Sequence, residues 1–387
     1  MYIARIEPLI LNVSAKTNWF FVRVTTASGL QGIGEASLNG FETLQQAFLQ
    51  HVAPQLVGER VDDCARLTRV FAHSPHGLVG ASVLSAIEQA LGDLQARHAG
   101  VPLYRWLGAA ARQQIPVYAN INRATTDRSP AGCAASARRA LAQGFRGVKI
   151  APFDGVCSED FAADWPAQRQ RIDAGIARMF ALSEAIGAGV YLMVDCHWRF
   201  DEATAMAVLK ELEPVRLHWF ECPVSENIAS WDALQRLRAA ANTQGTLLAG
   251  AEMQIGVAGF APLLERGLFD VVMPDVKFAG GYGEMLKIAS LARAHGVACS
   301  PHNPTGPVCN FASMHLMSAS ENFAALEFQL GESDLFFDVV GGVGPLLIDG
   351  QFAAPPSVPG LGLVLDDAVL AANPHRPVAV GLDPRLG

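Results

Sequence analysis

The chain has no basic cluster, no CxxC pair, no apolar run of membrane-spanning length and no dinucleotide-binding glycine motif. Each absence removes a class of function. Its 29 Lys and Arg are outnumbered by 37 Asp and Glu, giving a net charge of −8, and no Lys/Arg stripe is present to neutralise nucleic-acid phosphates. A nucleic-acid partner is therefore not expected, whereas a small anionic substrate remains compatible if a metal or local cation offsets the field. The seven cysteines are scattered and odd in number, which suggests neither a zinc site nor a full disulfide framework. Reduced thiols and a cytoplasmic location are the expectation. Residues 1–7 alternate like a strand and lack the basic and apolar regions of a leader, so neither export nor a membrane partner is expected. The nearest approach to a glycine fingerprint, Ala279-Gly280-Gly281-Tyr282-Gly283, has the wrong spacing for dinucleotide binding. It reads first as a helix cap and second as a loop approaching a ligand carboxylate.

What is present is apolar bulk and a rhythm. Of the 387 residues, 50% are hydrophobic and 17% charged, enough for one large core beside a smaller one. Residues 1–36 read as an antiparallel meander, with Trp19 to Thr26 rich in β-formers and Ala27-Ser28-Gly29 as a turn. Helical patterning follows to about residue 110; Val83, Ile87, Ala90, Leu91 and Leu94 fall on one stripe. Strands followed by helices indicate an α+β domain over 1–114. His73 and His76, in a loop without further ligands, read as solvated side chains.

From Ile115 the pattern becomes strand, then helix, repeated through 115–343. Eight apolar segments are expected as strands, and from Asp195 onward their polar ends recur every 23 to 31 residues or so: Asp195, Glu221, Glu252, Asp275, His302, Glu327. That interval is one strand-plus-helix unit of an eight-fold barrel. Residues 344–387, dense in Pro and Gly, are expected as an irregular segment packing back on the first domain.

Barrels of this type carry their active sites at the C-terminal strand ends. One acid at a strand end reads as a helix cap. Three in register, Asp195, Glu221 and Glu252, are hard oxygen donors that suit Mg²⁺. Asp195 and His197 are two apart, so a strand continuing through both would point them the same way. Asp275 can orient His302 and raise its basicity, equipping it to remove a proton α to a metal-held carboxylate.

These residues resemble the enolase superfamily, and within it the mandelate racemase subgroup. The resemblance spans nearly the whole chain. Its motifs are Ser85-Ala86-Ile87-Glu88-Gln89-Ala90-Leu91-Gly92-Asp93 and Pro102-Leu103-Tyr104-Arg105-Trp106-Leu107-Gly108, the three acids, Met273-Pro274-Asp275-Val276-Lys277 with Gly280-Gly281, and Pro301-His302-Asn303-Pro304. It implies an α/β fold: a modified (β/α)₇β TIM-type barrel with an N-terminal α+β capping domain completed by the C-terminal segment. It also implies a homo-oligomer, Mg²⁺ on Asp195, Glu221 and Glu252, the Asp275/His302 dyad as base, and Glu327 hydrogen-bonded to the enolising carboxylate. Racemases of the subgroup carry Lys-x-Lys on the second barrel strand, where this chain has Lys149-Ile150-Ala151. Lys149 is left as a carboxylate ligand or base. His197 is similar to the extra imidazole of acid-sugar dehydratases, where a second acid/base group can protonate a departing 3-hydroxyl.

The expected activity is a Mg²⁺-dependent acid-sugar dehydratase, with a small anionic sugar acid as substrate and a 2-keto-3-deoxy acid as product. A sugar-acid lactone or anhydro-sugar cycloisomerase uses the same first step, and a 2-hydroxy-acid racemase or epimerase comes third. A catalytically idle sugar-acid-binding relative and a Schiff-base aldolase using Lys149 are weaker alternatives; the aldolase leaves three convergent acids unexplained.

Overall fold

The computed structural model describes residues 1–63, 77–108 and 112–378; His73 and His76 lie outside them. The chain begins with β1 (Ile3–Asn12), β2 (Asn18–Thr26) and β3 (Gln31–Glu35), an antiparallel sheet in the order β1-β2-β3. Helices α1 (Glu42–Val52), α2 (Gly77–His98) and α3 (Leu103–Leu107) follow. The stripe on α2 is buried as its spacing predicts. Gly32 and Gly34 explain how closely α2 lies on β3: a Cβ at either position would run into the backbone oxygen of Ala90 or Ala86.

The barrel opens with β4 (Gln114–Asn120), α4 (Pro130–Ala142), β5 (Gly147–Ile150), α5 (Phe161–Ile186), β6 (Tyr191–Asp195) and α6 (Glu202–Glu211). It continues through β7 (Trp219–Glu221), α7 (Trp231–Thr243), β8 (Leu247–Gly250), α8 (Gly256–Glu265), β9 (Val271–Val272) and α9 (Tyr282–Ala294). Last come β10 (Ala298–Cys299), α10 (Pro307–Ala319), β11 (Leu326–Gln329) and the short α11 (Leu335–Asp338). Strands β4 to β10 pair in parallel with their sequence neighbours, and β11 pairs with β4. A bridge from Cys299 to Phe323 closes the circle. Local chemistry sets several helix starts: Ser129 caps α4 by accepting from Gly132 N, with Pro130 in the first turn, and Asp201 caps α6 by accepting from Thr204 N. Helix α5 is kinked at Asp164, just before Pro166, so its regular part starts close to the expected residue 168.

Two expectations are corrected. The sixth and seventh barrel strands are only two residues each, so Asp275 and His302 sit in the following loops. Pro274 and Pro301 have no N–H to donate, which ends each ladder early. The C-terminal segment is also less irregular than its composition suggests: it forms β12 (Leu347–Ile348), β13 (Gln351–Ala353) and α12 (Asp367–Ala372). Strand β13 pairs antiparallel with β4 of the barrel, while Leu361 N bonds the buried Asp93 of α2 at 2.7 Å and Asp367 pairs with Arg23 of β2. The segment ties barrel and cap together.

Cap and barrel also meet where Glu88 of α2 accepts from Tyr282 N and Gly283 N at the start of α9. This is the capping role expected for the Gly280-Gly281 loop, with the acid supplied from the other domain. Inside the barrel, Tyr118, Met193, Trp219, Ala249 and Val271 pack as one layer beneath the site. Among the described residues, no helix is long and apolar enough to cross a membrane.

Candidate active site

Three neighbouring strands end in unusual backbone. After β6, His197 and Trp198 have φ of 49° and 54°; after β7, Cys222 has 45°; after β8, Ala251 has 73°. Non-glycine residues in the left-handed region cost of order 1–3 kcal/mol each and cluster at functional sites. Here they fall beside Asp195, Glu221 and Glu252.

The left-handed turn changes how Asp195 and His197 meet. The strand stops at Asp195, so the two do not project side by side from it as the alternation of a continuous strand would have it. His197 instead folds back: its backbone N–H bonds Asp195 Oδ1 at 2.9 Å and its Nε2 lies 2.7 Å from Asp195 Oδ2. Burial works against the charge on Asp195, but the His197 ring and Lys149 outweigh it and hold this carboxyl well below its ordinary value.

Strand register sets Asp195 and Glu221 side by side. Glu221 is buried, with Oε1 2.6 Å from Lys149 Nζ and Oε2 accepting from Trp219 Nε1 at 2.9 Å. Burial, reinforced by Asp195 and Glu327, pushes its carboxyl up to about 8 against the pull of Lys149. Glu252 lies two residues past β8; burial and the neighbouring carboxylates raise it well above its ordinary value. Lys149 also reaches Glu327 at 2.8 Å. Burial opposes its charge, yet Glu221 and Glu327 together raise it well above the usual lysine value.

Asp275 Oδ2 is 2.8 Å from His302 Nδ1, the dyad the sequence suggested, and His302 Nε2 faces Glu252 Oε1 at 3.6 Å. The same Asp275 oxygen accepts from Lys277 Nζ at 2.6 Å. Burial opposes the negative charge, but Lys277 and His302 keep Asp275 below its ordinary value. Glu327 accepts from Asn120 Nδ2 and Asn303 N at 2.6 and 2.9 Å in addition to Lys149. It is an acceptor throughout, and its donors Lys149 and Asn120 both line the cavity.

A cavity of about 230 Å³ is lined by Lys149, Asp195, His197, His302 and Glu327, with Glu221, Glu252 and Asp275 behind them. Sequence reasoning missed Lys277, Trp219, Asn120 and Asn303 as partners of these groups. Trp219 and Lys277 left local signals, since they stand two before Glu221 and two after Asp275.

Whether a divalent cation fits here turns on the donors. Asp195, Glu221, Glu252 and Glu327 are four buried carboxylates around the Lys149 ammonium, and two of them are pushed upward by burial and by their neighbours' charge. All are hard oxygen donors of the kind Mg²⁺ takes. As arranged, no three acidic, imidazole or thiol groups among the described residues converge closely enough to hold a metal ion, and both Glu221 oxygens are turned to Lys149 and Trp219. The donor chemistry fits, and the side-chain arrangement is that of the ion pair.

Residues 5–108 match the mandelate racemase / muconate lactonizing enzyme N-terminal domain, and residues 132–369 match the enolase C-terminal domain-like family. The chain belongs to the enolase superfamily, in its mandelate racemase subgroup. It is 30% identical over 359 residues to a D-galactonate dehydratase of Ralstonia pickettii, covering 91% of this chain and 90% of that protein. It is 32% identical over 361 residues to a D-xylonate dehydratase of Haloferax volcanii, covering 91% and 85%. The crystal structure of a mandelate racemase/muconate lactonizing enzyme from Jannaschia sp. CCS1 superposes with a TM-score of 0.86 at 26% identity, covering 99% of this chain and 100% of that one.

Proposed function

We propose that the protein is a Mg²⁺-dependent dehydratase of a sugar acid. The observation that carries the reading is the presence of two imidazoles on one cavity, each bound to its own carboxylate: His302 on Asp275 and His197 on Asp195. The similarity to proteins named D-galactonate and D-xylonate dehydratase supports it. In this reading residues 1–114 cap the site, 115–343 carry it, and the segment from 344 joins the two.

Superfamily members generally use Mg²⁺, and Asp195, Glu221 and Glu252 would hold it. When bound, it would supply positive charge to a substrate carboxylate as the α-carbon loses its proton. His302 would take that proton, with Asp275 fixing its tautomer. Lys149 would donate to the substrate carboxylate from the position Glu327 holds it in. His197 would protonate the departing 3-hydroxyl, leaving an enol that tautomerises to the 2-keto-3-deoxy acid. A racemase needs a second base on the opposite face, and the position two after Lys149 is Ala151.

The division of labour is testable. In D₂O, His197→Asn should stop 2-keto acid formation yet still exchange the C2 proton of the substrate, whereas His302→Asn should do neither. Turnover by His197→Asn, together with loss of C2 inversion in Lys149→Ala, would make the protein a racemase or epimerase instead.

A further inference from the structure

Gln329 ends β11 two residues after Glu327, so strand alternation carries its side chain to the same side as that of Glu327. Together with Trp19 of β2 it lines both the pocket described above and a second cavity of about 470 Å³, which is walled by Phe145, Phe328, Phe336 and Phe352. The two residues stand where the cavities meet. Gln329 is only 6% exposed, yet neither its Oε1 nor its Nε2 has a hydrogen-bond partner; Trp19, 2% exposed, leaves its Nε1 unpartnered as well. A buried polar group left unpaired bears a desolvation cost, and in native structures it calls for an explanation.

Several other polar side chains around the pocket are already committed. Arg123 bonds Glu332 at 2.7 Å, Thr17 bonds the same carboxylate, Ser37 bonds Glu35 at 2.7 Å, and Lys277 bonds Asp275. Gln329 and Trp19 are thus groups with hydrogen-bonding capacity left for a ligand. Their chemistry narrows what that ligand presents. A carboxamide offers an acceptor and two donors, and the indole adds a donor. A second carboxylate would satisfy the donors and repel the amide oxygen, and an alkyl tail would satisfy nothing. Hydroxyl groups, which both donate and accept, match the set.

We infer that Gln329 is a specificity-determining residue that, with Trp19 Nε1, binds hydroxyls of the substrate distal to its carboxylate. The inference rests on the sugar-acid reading and deepens it.

Calorimetric titration with Mg²⁺ present tests it, using five- and six-carbon aldonates and, as a short probe, lactate, which has the carboxylate and 2-hydroxyl but no distal hydroxyl. Gln329→Met should weaken the best aldonate at least tenfold and change lactate by less than about twofold. Its thermal midpoint should equal or exceed that of the wild type, since an unpaired buried amide has been removed. Trp19→Phe should show the same selectivity to a smaller degree, and it reads the pair independently should Gln329→Met fail to fold. Equal losses for both probes, no loss for either, or a wild type that binds no aldonate more tightly than lactate would overturn the assignment. Turnover is followed in parallel. A wild type that binds an aldonate without forming 2-keto acid refutes the dehydratase reading, while the titrations still decide the role of Gln329.

Discussion

Replacing Lys149 with Met removes an ammonium shared by two buried carboxylates while keeping an unbranched apolar stem. Lys149 is 1% exposed and lies 2.6 Å from Glu221 and 2.8 Å from Glu327. Removing one member of a buried ion pair costs roughly 3–5 kcal/mol, because the partner stays buried without compensation. Here two partners are stranded, which argues for the upper end, but protonation limits the loss. Glu221, pushed up to about 8, is already mostly protonated near pH 7, and without Lys149 it would rise further and stay neutral. The expected loss is therefore about 3 kcal/mol at mildly acid pH. It should grow as pH rises, because Glu327, held below its ordinary value by Lys149, would bind in the folded variant a proton that it does not bind in the folded wild type. Urea unfolding in EDTA at about pH 6 and about pH 8 measures both quantities. A loss below about 1 kcal/mol at both pH values, or a larger loss at the acid one, would refute the reasoning.

His315 of α10 is buried between Tyr104 N, which donates to its Nδ1 at 3.1 Å, and the Leu361 carbonyl, 3.1 Å from its Nε2. Burial drops its pKa from 6.5 to about 4; the folded state then binds fewer protons than the unfolded one, and stability should fall by roughly 3 kcal/mol as pH descends through that window. An acid unfolding profile in which His315→Gln shows the same slope as wild type there would contradict this. Ending the chain near Val343 removes the β13 pairing to β4 and the contacts of Leu361 with Asp93 and Asp367 with Arg23, and should yield aggregation or inactivity; a soluble, fully active truncation would show the segment to be dispensable. His302→Asn should lower C2 proton exchange by about 10²–10⁴-fold, read by NMR in D₂O, and exchange within a few-fold of wild type would remove His302 as the base.

The strand-and-helix rhythm exposed the barrel because each polar strand end is a local pattern repeated at a fixed interval. The Asp275/His302 pair was legible for the same reason, even though prolines shorten both strands and move the residues into loops. The Asp195/His197 neighbourhood was legible but its geometry was not, since nothing in the sequence marks His197 and Trp198 as left-handed. The partners were hidden where they depend on tertiary placement: Asn120 meets Glu327 from 207 residues away, and Glu88 caps α9 from the other domain. Gln329 was invisible for a further reason. Its distinction is the lack of a partner in a buried setting, which no residue type or spacing encodes.

Removal of an α-proton followed by loss of a 3-hydroxyl is read most simply in the product that the purified protein forms. With Mg²⁺ present and a panel of mono- and di-acid sugars in D₂O, a 2-keto-3-deoxy acid should form from at least one aldonate-like member with wild type and not with His302→Asn or His197→Asn. Inversion at C2 of a panel member with no 2-keto acid, or 2-keto acid formation that persists in His302→Asn, would contradict it.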